Sequence, residues 1–155
     1  MLIDDFICNW DECNKVTIDI LKSIPDEIYY SKSFNTRFTS FSWEFACLVT
    51  TRQMYINGFL AKQINGNSES ELMEIVEKFS KKQMIKKLNE TNKKIKKIIK
   101  DKDTNLVEFF ENKTSKFSII SWLMQHEQLH YGKLMIYLAN LNIKRPKSFK
   151  SMWGI

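Results

Sequence analysis

Apolar residues recur every three or four positions along most of this chain, the period of a helix with one face turned inward. The first stripe, over residues 4–30, contains Phe6, Trp10, Cys13, Thr17, Ile20, Leu21 and Ile24. Pro25 stops it, because the proline ring disfavours the α conformation of the preceding residue. Residues 29–37 are rich in turn formers and read as a loop. A second stripe covers 39–61 through Phe41, Glu44, Phe45, Leu48, Arg52, Tyr55 and Phe59, with Cys47, Thr51 and Met54 beside it. Gly66-Asn67-Ser68 is a break, and Asn67 or Ser68 is a suitable N-cap, with Glu69 and Glu71 following.

The third stripe predicts one long helix over 68–100, bent near Lys81-Lys82-Gln83. Its inward positions are Leu72, Ile75, Val76, Phe79, Ile85, Leu88, Asn92, Ile95 and Ile99. Residues 101–115 form a polar link with a short turn near 106–110. The fourth stripe spans 116–141, with Ser115 as N-cap and Ile119, Leu123, His126, His130, Leu134, Tyr137 and Leu141 on one face. Arg145-Pro146 closes it, and Phe149, Met152 and Trp153 in the tail pack back onto the helices. Four long helical segments with short links predict an all-α fold, an antiparallel four-helix bundle formed by a single domain over residues 1–155.

Composition fits a packed core. Among 155 residues, 43% are hydrophobic, against only 2 Pro and 4 Gly to interrupt helices. No apolar run approaches the roughly 20 residues of a membrane span, and the start, Met1-Leu2-Ile3-Asp4-Asp5, lacks the basic and apolar regions of a signal peptide. The 3 cysteines, Cys8, Cys13 and Cys47, are odd in number and irregular in spacing. They form no disulfide framework and suit a reducing, cytoplasmic setting.

The net charge of +6 is concentrated. Residues 81–102 hold 10 lysines against Glu90 and Asp101, a local +8. A basic helical face suggests nucleic acid or an anionic surface. The stretch has no arginine and no aromatic residue, so base reading and base stacking are unsupported and nucleic acid is disfavoured as a partner. A solvated lysine face is the simpler reading.

The only 2 histidines are His126 and His130. Four residues apart on a helix, their imidazoles stack on one face and can share a divalent ion. His126-Glu127-x-x-His130 formally matches the zinc-protease pattern. Those enzymes take a third ligand downstream, however, and no Asp, Glu, His or Cys follows His130. A third ligand must come from upstream, where Glu44 and Cys47 lie three residues apart in the second stripe. A thiolate at Cys47 suits zinc, and a carboxylate at Glu44 suits zinc or a harder ion. Glu44 sits among Phe41, Phe45 and Leu48 and needs a partner: a metal, Arg52 or Lys133.

The fourth segment, from Trp122 to Pro146, resembles the last helix of the DinB-like family of bacterial metal-binding four-helix bundles. His126, Glu127, His130, Gly132, Ile143 and Pro146 match that family's pattern in order. Phe41-Ser42-Trp43-Glu44-Phe45-Ala46-Cys47-Leu48 and Asn57-Gly58-Phe59 resemble its second helix. The family's usual first ligand is a histidine in that helix, and the matching position here is Cys47. Lys133 stands where the family often has glutamine.

The resemblance implies a metal-dependent enzyme, in the manner of thiol S-transferases. It implies a divalent ion, zinc or nickel, held by His126, His130 and either Cys47 or Glu44. It further implies a low-molecular-weight thiol cosubstrate, a small-molecule substrate and a homodimer. Glu127, one residue past a ligand, is expected to point off the seam, as a surface residue or one supporting a ligand from behind. Gly132 costs roughly 1 kcal/mol against alanine inside a helix, an expense that close approach of a neighbouring helix or substrate would offset. The competing reading is a non-catalytic bundle that binds partners through its lysine-rich face or a dimer surface.

Overall fold

The computed structural model describes residues 2–32, 35–65, 70–102 and 105–154. Among these, six α-helices carry most of the chain, with a small three-stranded sheet. The helices are α1 (Leu2–Ser23), α2 (Phe41–Ala61), α3 (Ser70–Glu77), α4 (Lys81–Lys100), α5 (Lys116–Asn140) and α6 (Lys147–Trp153). The strands are β1 (Gln63–Ile64), β2 (Leu106–Phe109) and β3 (Asn112–Ser115). Each of α1 and α2 packs against both α4 and α5.

Local chemistry sets the ends. Ser40 caps α2 by accepting from Trp43 N at 3.1 Å, and Ser115 caps α5 by accepting from Ser118 N at 3.1 Å. The helix expected over 68–100 is instead two helices. Ser80 and Gln83 form a reciprocal capping box that starts α4 afresh after α3 ends at Glu77. Three consecutive lysine and glutamine positions read as a bend are thus the first turn of a new helix. With the phase broken, Ile75 is 58% exposed instead of buried. The cap assigned to Asn67 or Ser68 lies outside the described residues.

The all-α expectation is also corrected. The link at 101–115 contains a β-hairpin, with Leu106 opposite Ser115 and Phe109 opposite Asn112. Its two turn residues, Phe110 and Glu111, both have positive φ (45° and 67°), as a tight right-twisting hairpin requires. Parallel pairing of β1 with β2 completes the sheet. It rests on α2 at Gly58, where a Cβ would come within 2.1 Å of Ile64 Cγ1.

The apolar core is divided. One cluster gathers Val16, Leu21, Phe45, Leu48, Leu88 and Leu134, and the other Trp10, Ile56, Ile95, Ile99, Ile119 and Leu123. Between them along the helices lie buried Asn14 and Thr17 of α1, Arg52 of α2, Thr91 of α4, and Glu127 and His130 of α5. This polar layer crosses the middle of the helical core, and both histidines sit at its edge.

Candidate metal centre

Three side chains from two helices converge. Cys47 of α2 points Sγ at His126 Nε2 (3.8 Å), and His126 Nε2 is 3.2 Å from His130 Nε2. All three ligand atoms lie within 4.8 Å of one another. Tetrahedral zinc, with bonds of about 2.0–2.3 Å, needs N···N near about 3.3 Å and S···N near about 3.6 Å. The spacing therefore suits one ion with little movement, and a thiolate with two imidazoles is a chemically apt donor set. Cys47 and His126 are half-buried and His130 is buried, so the group is open on one side.

Glu44 lies behind this group, not in it. Its Oε2 is 2.6 Å from His130 Nδ1, while Oε1 accepts from Thr39 (2.6 Å) and Tyr137 (3.2 Å). Lys133 Nζ stands 3.7 Å from Oε2. A carboxylate bound to Nδ1–H fixes the tautomer that leaves Nε2 free as a ligand. Of the side chains foreseen as partners for Glu44, Lys133 is present at the edge and Arg52 is engaged elsewhere; the principal partner, His130, was not among them.

Burial alone pushes the Glu44 carboxyl up, but hydrogen bonds from His130 and Thr39, and the charges of His130 and Lys133, bring it below its usual range. Burial likewise opposes ionisation of Cys47. Hydrogen bonding and charge from His126 and His130 overcome this and lower the thiol to about 6. Cys13 has no such partners: burial and the nearby Glu127 carboxylate raise it to about 12. Burial depresses His130, yet Cys47 and Glu44 raise it to about 9. Without an ion, Cys47 and His130 thus form a thiolate–imidazolium couple.

Glu127 does not point off the seam. It is fully buried and makes a bidentate pair with Arg52: Nε to Oε1 at 2.7 Å and Nη2 to Oε2 at 2.9 Å. Arg52 also donates to Asn14 Oδ1 (2.8 Å) and lies over the Trp10 ring. Thr17 donates to Glu127 Oε2 at 2.9 Å, and Tyr131 donates to the Cys13 carbonyl at 2.7 Å. The available signal was the coincidence of two opposite charges, Arg52 and Glu127, in helices with almost no others. No neighbouring helix approaches Gly132: among the described residues beyond its own stretch of helix, nothing lies within 4 Å of where its Cβ would be.

A cleft of 550 Å³ opens beside the N-terminus of α2, lined by Tyr30, Lys32, Phe38, Thr39, Trp43 and Glu77. It shares Thr39 with the hydrogen-bond set of Glu44, and Trp43 lies one turn before Cys47. The Lys133 ammonium is 5.9 Å from the centre of a Trp43 ring.

A family model, that of the DinB family, matches residues 3–147. No curated protein matches the chain.

Proposed function

The chain belongs to the DinB family, and we propose that it is a metal-dependent enzyme of that family on an antiparallel four-helix bundle, using Cys47, His126 and His130 to hold one divalent ion. The observation that carries this reading is the convergence of Cys47 Sγ with the two Nε2 atoms, backed by Glu44 on the far nitrogen of His130. Cys47 occupies the position where the resemblance places a histidine, so the site is a Cys-His-His variant. Glu44 serves it as the group that orients His130.

Zinc fits the donor set best, with nickel next. A bound divalent ion with an open position supplies a Lewis-acidic centre at which a thiol ionises and becomes a nucleophile. The protein's own contribution is positional. Cys47, held between two imidazoles, is ready to ionise, and Glu44 keeps His130 in the ligating tautomer. The cleft at Thr39 and Trp43 adjoins the site through Thr39, which donates to Glu44, and this neighbourhood supports a small-molecule substrate with a low-molecular-weight thiol as cosubstrate. Among the described residues no helix is long and apolar enough to cross a membrane.

Elemental analysis of purified, zinc-loaded protein tests the site. The expected result is one ion per chain, lost in Cys47→Ala and in His130→Ala. Stoichiometric metal surviving in both variants, or none in the parent, overturns it. Thiol transfer is then read by loss of free thiol on incubation with a small electrophile, with the metal-free protein as control.

A second reading has one observation in its favour. Lys82, Lys86, Lys93, Lys97 and Lys100 are exposed on a narrow stripe of α4. A polyanion bound there would dissociate steeply as salt rises. Binding to heparin that is absent, or unchanged between low and high salt, removes this alternative.

A further inference from the structure

Lys133 carries a charge that its own surroundings do not use. It lies three residues after His130 and seven after His126, on the same face of α5. Trp43 lies four residues before Cys47, on one face of α2. The contact of Lys133 with Trp43, 5.9 Å from ammonium to ring centre, therefore crosses the α2–α5 junction one turn of α2 away from the contact of Cys47 with His126. The Lys133 side chain is 34% exposed, so this end of the junction is open to solvent. The acid beside it does not need it. Glu44 Oε2 is 3.7 Å from the ammonium, beyond hydrogen-bond reach, and 2.6 Å from His130 Nδ1. Oε1 of Glu44 accepts from Thr39 and Tyr137. Among the described residues, Lys133 Nζ finds no acceptor within hydrogen-bond distance.

We infer that Lys133 is a specificity-determining residue, whose ammonium receives the carboxylate of a small thiol bound at the open side of Cys47, His126 and His130. The inference rests on the metal site proposed above and names the class of thiol that this site selects. An ammonium has three donors, and here all three are available to a ligand. A carboxylate takes them as charge-assisted hydrogen bonds, which a neutral group cannot match. Neither neighbour holds the ammonium tightly. Trp43 is near the outer limit, about 6 Å, of a useful cation–ring contact, and Glu44 is already satisfied. The side chain is therefore free to turn to a ligand. Charge selects the sign of that ligand. In the ligand-free site a divalent ion offsets the Cys47 thiolate and the Glu44 carboxylate, which leaves the Lys133 charge in excess. In the neighbouring cleft, Lys32 and Glu77 are opposite in sign and supply no such excess. A neutral thiol leaves the ammonium facing water, and an amine-bearing thiol meets repulsion.

Isothermal titration calorimetry on zinc-loaded protein tests the inference, with 3-mercaptopropionate, 2-mercaptoethanol and cysteamine as probes at fixed salt and pH. The quantity read is the affinity for 3-mercaptopropionate relative to that for 2-mercaptoethanol, compared between proteins. In Lys133→Met this ratio is expected to fall about 10-fold, the worth of one hydrogen bond between charged groups. Lys133→Arg should keep the ratio of the parent, and Lys133→Glu should shift the preference to cysteamine. Lys86→Glu/Lys93→Glu, on α4, should leave the ratio unchanged. A ratio unaltered in Lys133→Met overturns the inference. So does an equal loss for all three thiols, which would mean that Lys133 only supports Glu44. An equal fall in the α4 variant also overturns it, by assigning the preference to the charge of the whole chain. Elemental analysis of the same samples separates the two readings. One ion per chain with no thiol bound overturns the role of Lys133 and leaves the metal site standing, whereas a parent without metal overturns the metal site and this role with it.

Discussion

Arg52 Nε lies 2.7 Å from Glu127 Oε1, and neither side chain is exposed at all. This pair ties the middle of α2 to the middle of α5, five residues after Cys47 and one after His126. The distance between the cysteine and the histidines is therefore held by an ion pair in the core, not only by apolar packing. Such a pair is costly to break on one side, because the surviving charge stays buried without a partner. Glu127→Gln is expected to destabilise the fold by about 3–5 kcal/mol in urea unfolding. Arg52→Met/Glu127→Leu, which removes both charges, should recover most of that loss. A double variant as unstable as the single one would mean that the remaining polar groups, Asn14 and Thr17, carry the cost.

Glu44 is placed to act through His130 alone. Replacing it by Gln keeps its size but removes the charge that steadies Nδ1–H of His130. Zinc affinity, measured by competition with a chromophoric chelator, should fall about 10–100-fold. Thr39→Val removes only one of the hydrogen bonds to Glu44 and should have a smaller effect. Equal affinities for the parent and Glu44→Gln would show that His130 is oriented by packing.

The thiol of Cys47 gives a pH signature in metal-stripped protein. Its folded value, about 6, lies below the ordinary thiol value, so the thiolate persists at neutral pH and is lost as pH falls through about 6. His130 is raised to about 9 and gives up its proton only as pH climbs through that value. The thiolate–imidazolium couple therefore stabilises the metal-free fold between these limits and fades on either side. Iodoacetamide labelling of Cys47, followed by peptide mass spectrometry, should rise with a midpoint near 6 and level off above it. His130→Ala should move the midpoint upward, and zinc should suppress labelling. A midpoint in the parent at the ordinary thiol value would show that the imidazoles do not reach the sulfur.

Periodicity made the long helices legible because each buries a stripe at 3.6-residue spacing, and it placed His126 and His130 in one seam, with Cys47 only beside the stripe of another helix. What it missed has particular causes. The hairpin turn is Phe110-Glu111, residues that rarely adopt positive φ, so no Asn-Gly signal marked it. Ser80 and Gln83 carry a capping box, but the apolar phase runs nearly unbroken across it and hid the new helix start. Glu127 was misread because spacing gives a residue's direction only relative to its own helix. Its burial depends on where α1 and α2 lie, with Thr17 and Arg52 waiting there. Glu44 was recognised as a carboxylate needing a metal, Arg52 or Lys133 as partner, but finding His130 in that place requires the distance between helices.

Gly58 and Gly132 show why a helical glycine must be judged by its surroundings. Both sit inside long helices, where glycine costs roughly 1 kcal/mol relative to alanine. At Gly58 a Cβ would lie 2.1 Å from Ile64 Cγ1 and 3.1 Å from the Gln63 carbonyl oxygen. Ile64 is buried and held in β1, so it cannot swing aside without loosening the pairing of β1 with β2. Overpacking of this kind costs about 1–3 kcal/mol, which outweighs the gain in helix propensity. Gly58→Ala is therefore expected to lower stability, while Gly58→Ala/Ile64→Ala should lose less than the two single changes summed. Thermal unfolding of the four proteins measures the coupling directly. Strict additivity would mean that β1 shifts freely and that the close packing at Gly58 does not hold the sheet against α2.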